Sequence, residues 1–437
     1  MSSYAAFLER KRNRVTPIGR IVAPDDIHPS LHDWQRQEVA WAVHRGRAAL
    51  WWDTGTGKTR AELEWARLSG DRSLIVAPLA VCHQTVEEAA SIGIAAAYAR
   101  SDEQAHGSGV WVTNYEMVDR FDPAGLDAVA LDEASILKNS DGATRNRLIR
   151  HFADVPRRLA ATATPAPNEP TELTSQAEFL GVMSRAEMLA TYFVHDSDGW
   201  RLKGHARQPM FRWMASWASA LRRPSDIGYA DDGYVLPPLT IHTHLVETEG
   251  VQTEGTLFPV HSAAALGGVR GRAQVRKATV ADRVAKAVEL VKAEPGEPWL
   301  LWAGRNDEAQ MLAAALPGAV NVEGSWKPEA KAEALLGFAR GVIQILVTKP
   351  SIAGFGMNWQ HCARTAFVGL SDSWEAYYQC IRRCWRYGQT RPVDAHIVLT
   401  DVEAPIAANV ARKEAEASAL VAELVASMNE TRRGRAA

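Results

Sequence analysis

The chain has 437 residues and carries 49 Lys and Arg against 51 Asp and Glu, a formal charge of -2. A length about three times the ~150 residues of a common domain calls for at least two hydrophobic cores, and the charge balance excludes both a uniformly basic nucleic-acid binder and an acidic disordered tail. At 46% hydrophobic and 23% charged, with no run of about 18 apolar residues, the composition argues against a membrane role. Taken in chain order, residues 1–28 form a basic extension without the apolar segment of a secretion signal. Residues 29–180 alternate helical stretches with short apolar runs at 48–52, 73–77, 110–113, 128–131 and 158–162. Runs of this length between turn residues predict strands buried on both faces of a parallel sheet.

Residues 181–285 lose the alternation. A Trp-rich stretch is followed by PSDIGYADDGYVLPPL (224–239), and together they read as a helical and loop connector. Strands return at 299–303, 319–323, 344–348, 365–369 and 395–399, within a second lobe over 286–402. Residues 403–437 predict an amphipathic helix and basic tail, with Val410, Val421, Leu424 and Met428 at helical spacing and the helix docked on the second lobe. The expected fold class is α/β, with two tandem parallel-sheet lobes, a helical connector and a C-terminal helix. Four cysteines are too few for a disulfide framework and fit a reducing compartment. Cys380 and Cys384, with His361 and Cys362 upstream, lack the short CxxC spacing of common zinc sites, and core filling is the plainer reading.

The sharpest local signal is WWDTGTGKT (51–59), between a predicted strand and a predicted helix. Amides of a Gly-rich turn at a helix N-terminus can cradle phosphates; Thr54, Gly55, Thr56 and Gly57 supply that turn here, Lys58 can reach the β and γ phosphates, and Thr59 can ligate Mg2+. Trp52 stands where the general pattern has a glycine. In LDEAS (131–135), at the end of another apolar run, Asp132 can hold the metal and Glu133 can polarise the attacking water. Together the two motifs predict hydrolysis of ATP with Mg2+.

With these and further blocks in order, the chain resembles the superfamily 2 helicases and, within them, the Swi/Snf-related DNA-dependent ATPases, particularly short phage and prophage forms. LHDWQRQEVAWAV (31–43) resembles the Q-motif, which gives Gln35 the adenine edge. LIVAPLAVCHQTV (74–86) and VTNYEM (112–117) resemble motifs Ia and Ib, and DEASILKN (132–139) motif II, with Ser135 where the family usually has His. LAATATPAPNEPTEL (159–173) resembles motif III, KPSIAGFGMNWQ (349–360) motif V, and YYQCIRRCWRYGQTRPV (377–393) motif VI with its RxGQ ending. The resemblance implies two RecA-like P-loop lobes, adds Gly356 and Gln379 to the nucleotide residues, and gives Pro78, Thr113, Asn114, Lys349 and Asn358 contacts to a nucleic-acid backbone.

In motif VI, helical i,i+3 spacing predicts Arg383 and Arg386 on one face, suited to stabilising charge on a transferring phosphate across the interlobe cleft. By resemblance these two are the arginine fingers, and Arg382 is structural or DNA-facing. The stretch WRLKGHARQPMFRWMASWASALRR (200–223) interleaves Trp with basic residues, which suits either DNA contact or ordinary helix packing. The expected function is an ATP-dependent DNA helicase or translocase in phage-type replication, recombination or repair. Its expected partner is DNA, double-stranded or branched rather than single-stranded, and its expected place is the cytoplasm, a bacterial host's if phage-encoded. A strand-separating DNA or RNA helicase and an ATP-gated interaction protein remain as alternatives.

Overall fold

The computed structural model of the chain describes residues 15–138, 142–197, 199–248, 274, 276–354, 357–371 and 373–436. The chain divides into two units, one of residues 1–234 with 416–437 and one of residues 235–415. The first runs α1 (Asp33–Arg45), β1 (Arg47–Trp52), α2 (Lys58–Ser69), β2 (Arg72–Ala77), α3 (Leu79–Ser91), β3 (Ala96–Tyr98), β4 (Gly109–Asn114), β5 (Ala128–Asp132), α4 (Ala143–His151), β6 (Arg157–Ala161), α5 (Leu173–Leu180), α6 (Arg185–Tyr192), β7 (Phe193–Asp196), β8 (Gly199–Leu202), α7 (Arg207–Met214) and β9 (Ala218–Leu221). Among the described residues its main sheet has seven strands, all parallel, in the order β3-β4-β2-β5-β6-β1-β9. Strand side chains alternate between faces, so each apolar run feeds two cores. Ala49, Trp51, Leu74, Val76, Val129 and Leu131 join one; Leu50, Trp52, Ile75, Ala77, Ala128 and Ala130 join the other.

The second unit runs β10 (Leu239–Val246), α8 (Val280–Ala293), β11 (Trp299–Ala303), α9 (Asn306–Ala315), β12 (Ala319–Asn321), α10 (Pro328–Ala339), β13 (Ile345–Thr348), α11 (Pro350–Ala353), β14 (Arg364–Val368), α12 (Trp374–Cys384), β15 (Val393–Thr400) and the start of α13 (Ala404–Ala436). Its sheet is also parallel, ordered β10-β15-β14-β11-β13-β12. Arg283 on α8 is 1% exposed yet saturated: it donates to Glu308 (2.8 Å), to Glu403 (2.8 Å) and to the carbonyl of Arg276 (2.8 Å). Full pairing is what makes such a buried cation tolerable. At the sheet edge His242 Nε2 donates to the Asp394 carboxylate (2.8 Å) and His244 Nε2 shares a hydrogen bond with His396 Nδ1 (2.9 Å), while both rings stack on His396.

All ten runs expected as strands are strands. The expected connector is not one element. Residues 181–234 complete the first unit, because β9 pairs with β1 and Met210, Phe211, Trp213 and Trp217 fill its core. Of the two readings left open for the Trp-rich stretch, packing accounts for Trp213 and Trp217; Arg207 pairs with Glu423 (2.5 Å) and Arg222 with Asp226 (3.4 Å). The expectation that the C-terminal helix docks on the second lobe also needs correction. Leu420, Leu424, Val425 and Met428 of α13 lie in the first unit's core, where the Ala220 amide donates to the Met428 sulfur (3.1 Å). Among the described residues no helix is long and apolar enough to cross a membrane.

Two measurements check this packing. Trp217→Ala should destabilise the protein by about 3–5 kcal/mol in denaturant titrations, whereas Trp200→Ala, at a side chain 40% exposed, should stay within about 0.5 kcal/mol. Burial, reinforced by His242 and His244, holds His396 down at about 4, below the ordinary 6.5. The unfolded chain therefore binds a proton that the folded chain resists, so stability is complete above pH 6.5 and declines as pH falls toward about 4. His396→Phe should flatten that acid arm of the stability profile.

Candidate active site

Strand β1 ends at Trp52 and α2 begins at Lys58, so Asp53 to Gly57 form a turn at a helix N-terminus. Gly55 and Gly57 have φ of 82° and 81°, a region that favours glycine. Asp53 organises the turn: its carboxylate accepts from the Thr54 amide (2.6 Å), and its carbonyl accepts from the Thr56 hydroxyl (2.6 Å) and from Lys58 Nζ (3.2 Å). Lys58 Nζ also donates to the Trp52 carbonyl (2.9 Å). The unusual Trp52 is accommodated because its side chain leaves the turn for the core, donating to Ser219 Oγ on β9 (2.9 Å), which donates to Glu38 (2.6 Å).

Gln35 lies against the turn. It is buried, accepts from the His32 amide (2.7 Å) and donates to the Thr56 carbonyl (2.7 Å), so its amide braces the turn from α1. A Cβ added at Gly57 would lie 2.3 Å from Gln35 Nε2, a second reason for glycine there.

Asp132 ends β5, and β6 lies between β5 and β1. Ala161 is the register partner of both Asp132 and Leu50, which sets the carboxylate two strand spacings, about 10 Å, from the strand that feeds the turn. The Asp132 carbonyl accepts from the Tyr115 hydroxyl (2.5 Å). Glu133 has φ 56°, the only non-glycine residue with positive φ among the described residues, and strain of this kind gathers at functional sites. Burial pulls the Lys58 ammonium below the ordinary lysine value, opposed by the carboxylates of Glu133, Asp53, Asp132 and Glu62. Lys58 and these acids thus form one electrostatic cluster. The Thr59 hydroxyl with the Asp132 carboxylate is a hard oxygen set, which fits Mg2+.

Sequence reasoning missed Gln176 on α5. It accepts from the Trp51 indole (2.7 Å) and donates to the Pro165 carbonyl (2.9 Å), tying β1 to the Thr162-to-Pro165 turn in which the Thr164 amide donates to Thr162 (3.1 Å). The available signal was Trp51 itself, since a buried indole N–H needs an acceptor.

In the second unit α12 ends at Cys384, so Arg386 lies beyond the helix and the expected i,i+3 face does not exist. The two guanidinium groups meet by another route: Arg383 (3.2 Å) and Arg386 (3.4 Å) both donate to the Met357 carbonyl, and Arg383 also donates to Gln379 Oε1 (3.0 Å). Burial, then Arg383 and Arg382, pulls Arg386 down to about 9. Such a crowd of cations favours an arriving anion. Arg382 lies against the rings of Tyr378 and Trp385 (4.9 Å to the latter). Gln389 closes the turn after the helix, donating to the carbonyls of Cys362 (3.1 Å) and Cys384 (3.2 Å). Cys362, Cys380 and Cys384 are buried, and among the described residues no group of three or more His, Cys, Asp or Glu is arranged to hold a metal ion.

The expected nucleic-acid residues fare unequally. The side chains of Thr113 and Asn114 are buried, and Asn114 is engaged with Tyr98 (2.8 Å) and Glu116. Pro78 caps α3, Lys349 donates to Asn306, and Asn358 is exposed. Gly356 lies outside the described residues.

Gln176→Leu leaves a buried indole N–H and a buried carbonyl without their partner, each worth about 1–3 kcal/mol. Thermal unfolding should show the loss, and Trp fluorescence should shift as Trp51 loses its acceptor.

No family model matches the chain, and no curated protein matches it in sequence. Among solved structures it is similar to the SWI2/SNF2 ATPase core of Sulfolobus solfataricus in complex with dsDNA, at 16% identity and a TM-score of 0.44, over 87% of this chain and 90% of that one. That likeness adds nothing to the chemistry of the site, which rests on the contacts above.

Proposed function

We propose that the chain is an ATP-dependent DNA translocase of the Swi/Snf-like kind, acting on double-stranded or branched DNA in replication, recombination or repair. One observation carries the ATPase part: a Gly-turn lysine at the N-terminus of α2 shares an electrostatic cluster with two consecutive acids, Asp132 and Glu133, at the end of β5. The amides of the turn and the α2 N-terminus bind phosphate, and Lys58 exchanges its carbonyl partners for phosphate oxygens. Thr59 and Asp132 hold Mg2+, which when bound neutralises developing charge. Glu133 takes the proton of the attacking water. Arg383 and Arg386, which both donate to the Met357 carbonyl, are the candidates for the arginine fingers.

The resemblance of the ordered blocks supports the DNA part, with Pro78, Thr113, Asn114, Lys349 and Asn358 as the contacts to a nucleic-acid backbone. Such contacts position the protein without reading sequence.

ATP turnover should fall to background in Lys58→Ala and in Glu133→Gln. It should rise many-fold with double-stranded DNA, with triplex displacement positive and strand separation weak. Stimulation by single-stranded RNA alone overturns the translocase reading, and indifference to every polynucleotide favours an ATP-gated interaction protein. Arg386→Ala should lower kcat by ~10³ while binding of a fluorescent ATP analogue survives.

A further inference from the structure

Two glutamates of α2 are each 1% exposed, and they are treated differently. Glu64 is bridged by Arg67 (2.7 Å). Among the described residues Glu62 has no ion pair of that kind, and its Oε1 is enclosed without a hydrogen bond. Helical spacing places Glu62 one turn above Lys58 on the same face, and it interacts electrostatically with Asp132, Lys58 and Glu133. A buried carboxyl without a partner costs stability, and apolar residues occupy the neighbouring positions Ala61, Leu63, Trp65 and Ala66 without that cost. An acid kept in such a place is explained by use rather than by packing.

We propose that Glu62 is a positioning residue of the nucleotide site, its carboxyl accepting a hydrogen bond from water on the divalent cation that Thr59 and Asp132 hold. The inference rests on the nucleotide-site reading above. It does not depend on the charge of Glu62, because a carboxyl keeps an acceptor oxygen whether ionised or protonated. Burial, then Asp132 and Glu133, raises this carboxyl well above the ordinary value against the opposing pull of Lys58, in keeping with a group buried among like charges. Outer groups of this kind orient what the direct ligands bind.

The test uses the full chain and a fluorescent ADP analogue, titrated with Mg2+ and, separately, in EDTA. Glu62→Met removes the acceptor while suiting a buried helical position. It should raise the half-saturating Mg2+ about tenfold, the low end of outer-shell effects, leave affinity in EDTA unchanged, and not lower the ligand-free Tm. Glu62→Gln, which keeps an acceptor oxygen, should restore most of the Mg2+ affinity. A parental Mg2+ requirement in Glu62→Met overturns the proposal. Should Glu62→Met not fold, Glu62→Ala is read in the same titration, and if neither folds Glu62 is structural and the proposal fails. Failure of the underlying reading looks different: the parent itself then shows no Mg2+-dependent binding, and Thr59→Ala matches it.

Discussion

Strand β1 is the constraint on which the first unit depends. Its two tryptophans face opposite sides of the sheet, Trp51 in one core and Trp52 in the other, so one dipeptide is packed into both layers. Each indole is also tied by its N–H, Trp51 to Gln176 and Trp52 to Ser219. A strand held in this way cannot slide or twist without breaking both cores. The turn that follows therefore starts from a fixed point, and Lys58 begins its helix at a defined place relative to Asp132, two strands away. The large residue at a position usually given to glycine is thus a consequence of how the strand is anchored, and the turn retains glycines only where its backbone needs them.

The site places charge in an environment that resists it. Lys58 and Glu62 are poorly solvated: Glu133, Asp53, Asp132 and Glu62 support the lysine, while Asp132 and Glu133 oppose the Glu62 carboxylate. Interactions are strong where water is scarce, so a small change of geometry changes the energy appreciably. The surrounding structure accordingly over-determines this geometry. Gln35 braces the turn, Tyr115 holds the carbonyl of Asp132, and Glu133 is kept in a strained conformation directly after it.

The second unit handles buried arginines in two contrasting ways. Arg283 is saturated by two glutamates and a carbonyl, which marks it as a structural pin joining α8 to the segments after β11 and β15. Arg383 and Arg386 share one carbonyl, and burial, then repulsion from Arg383 and Arg382, depresses Arg386. A saturated cation stabilises a fold; crowded cations raise the local preference for an anion.

Much of the architecture was legible from one dimension. Each apolar run expected as a strand forms one, since burial on both faces leaves a continuous signal. Strands that escaped notice, β3, β7, β8, β9 and β10 among the described residues, lack that signal: β9 is the short ASAL inside a Trp-rich stretch, and β10, LTIHTHLV, is an edge strand whose side chains alternate in burial. The site divides in the same way. By itself the sequence determined what is contiguous: the Gly-turn before a helix, the lysine at its start, the acid pair closing a strand and the cluster of arginines. Only the tertiary structure decided what depends on distant partners. It put Gln35 under the turn, seated the distal part of α13 in the first core, brought Arg383 and Arg386 together at Met357 beyond a helix end, and enclosed Glu62 Oε1 near the lysine without a hydrogen bond among the described residues. Local chemistry is written in neighbouring residues, whereas burial and pairing are properties of segments that meet only when the chain has folded.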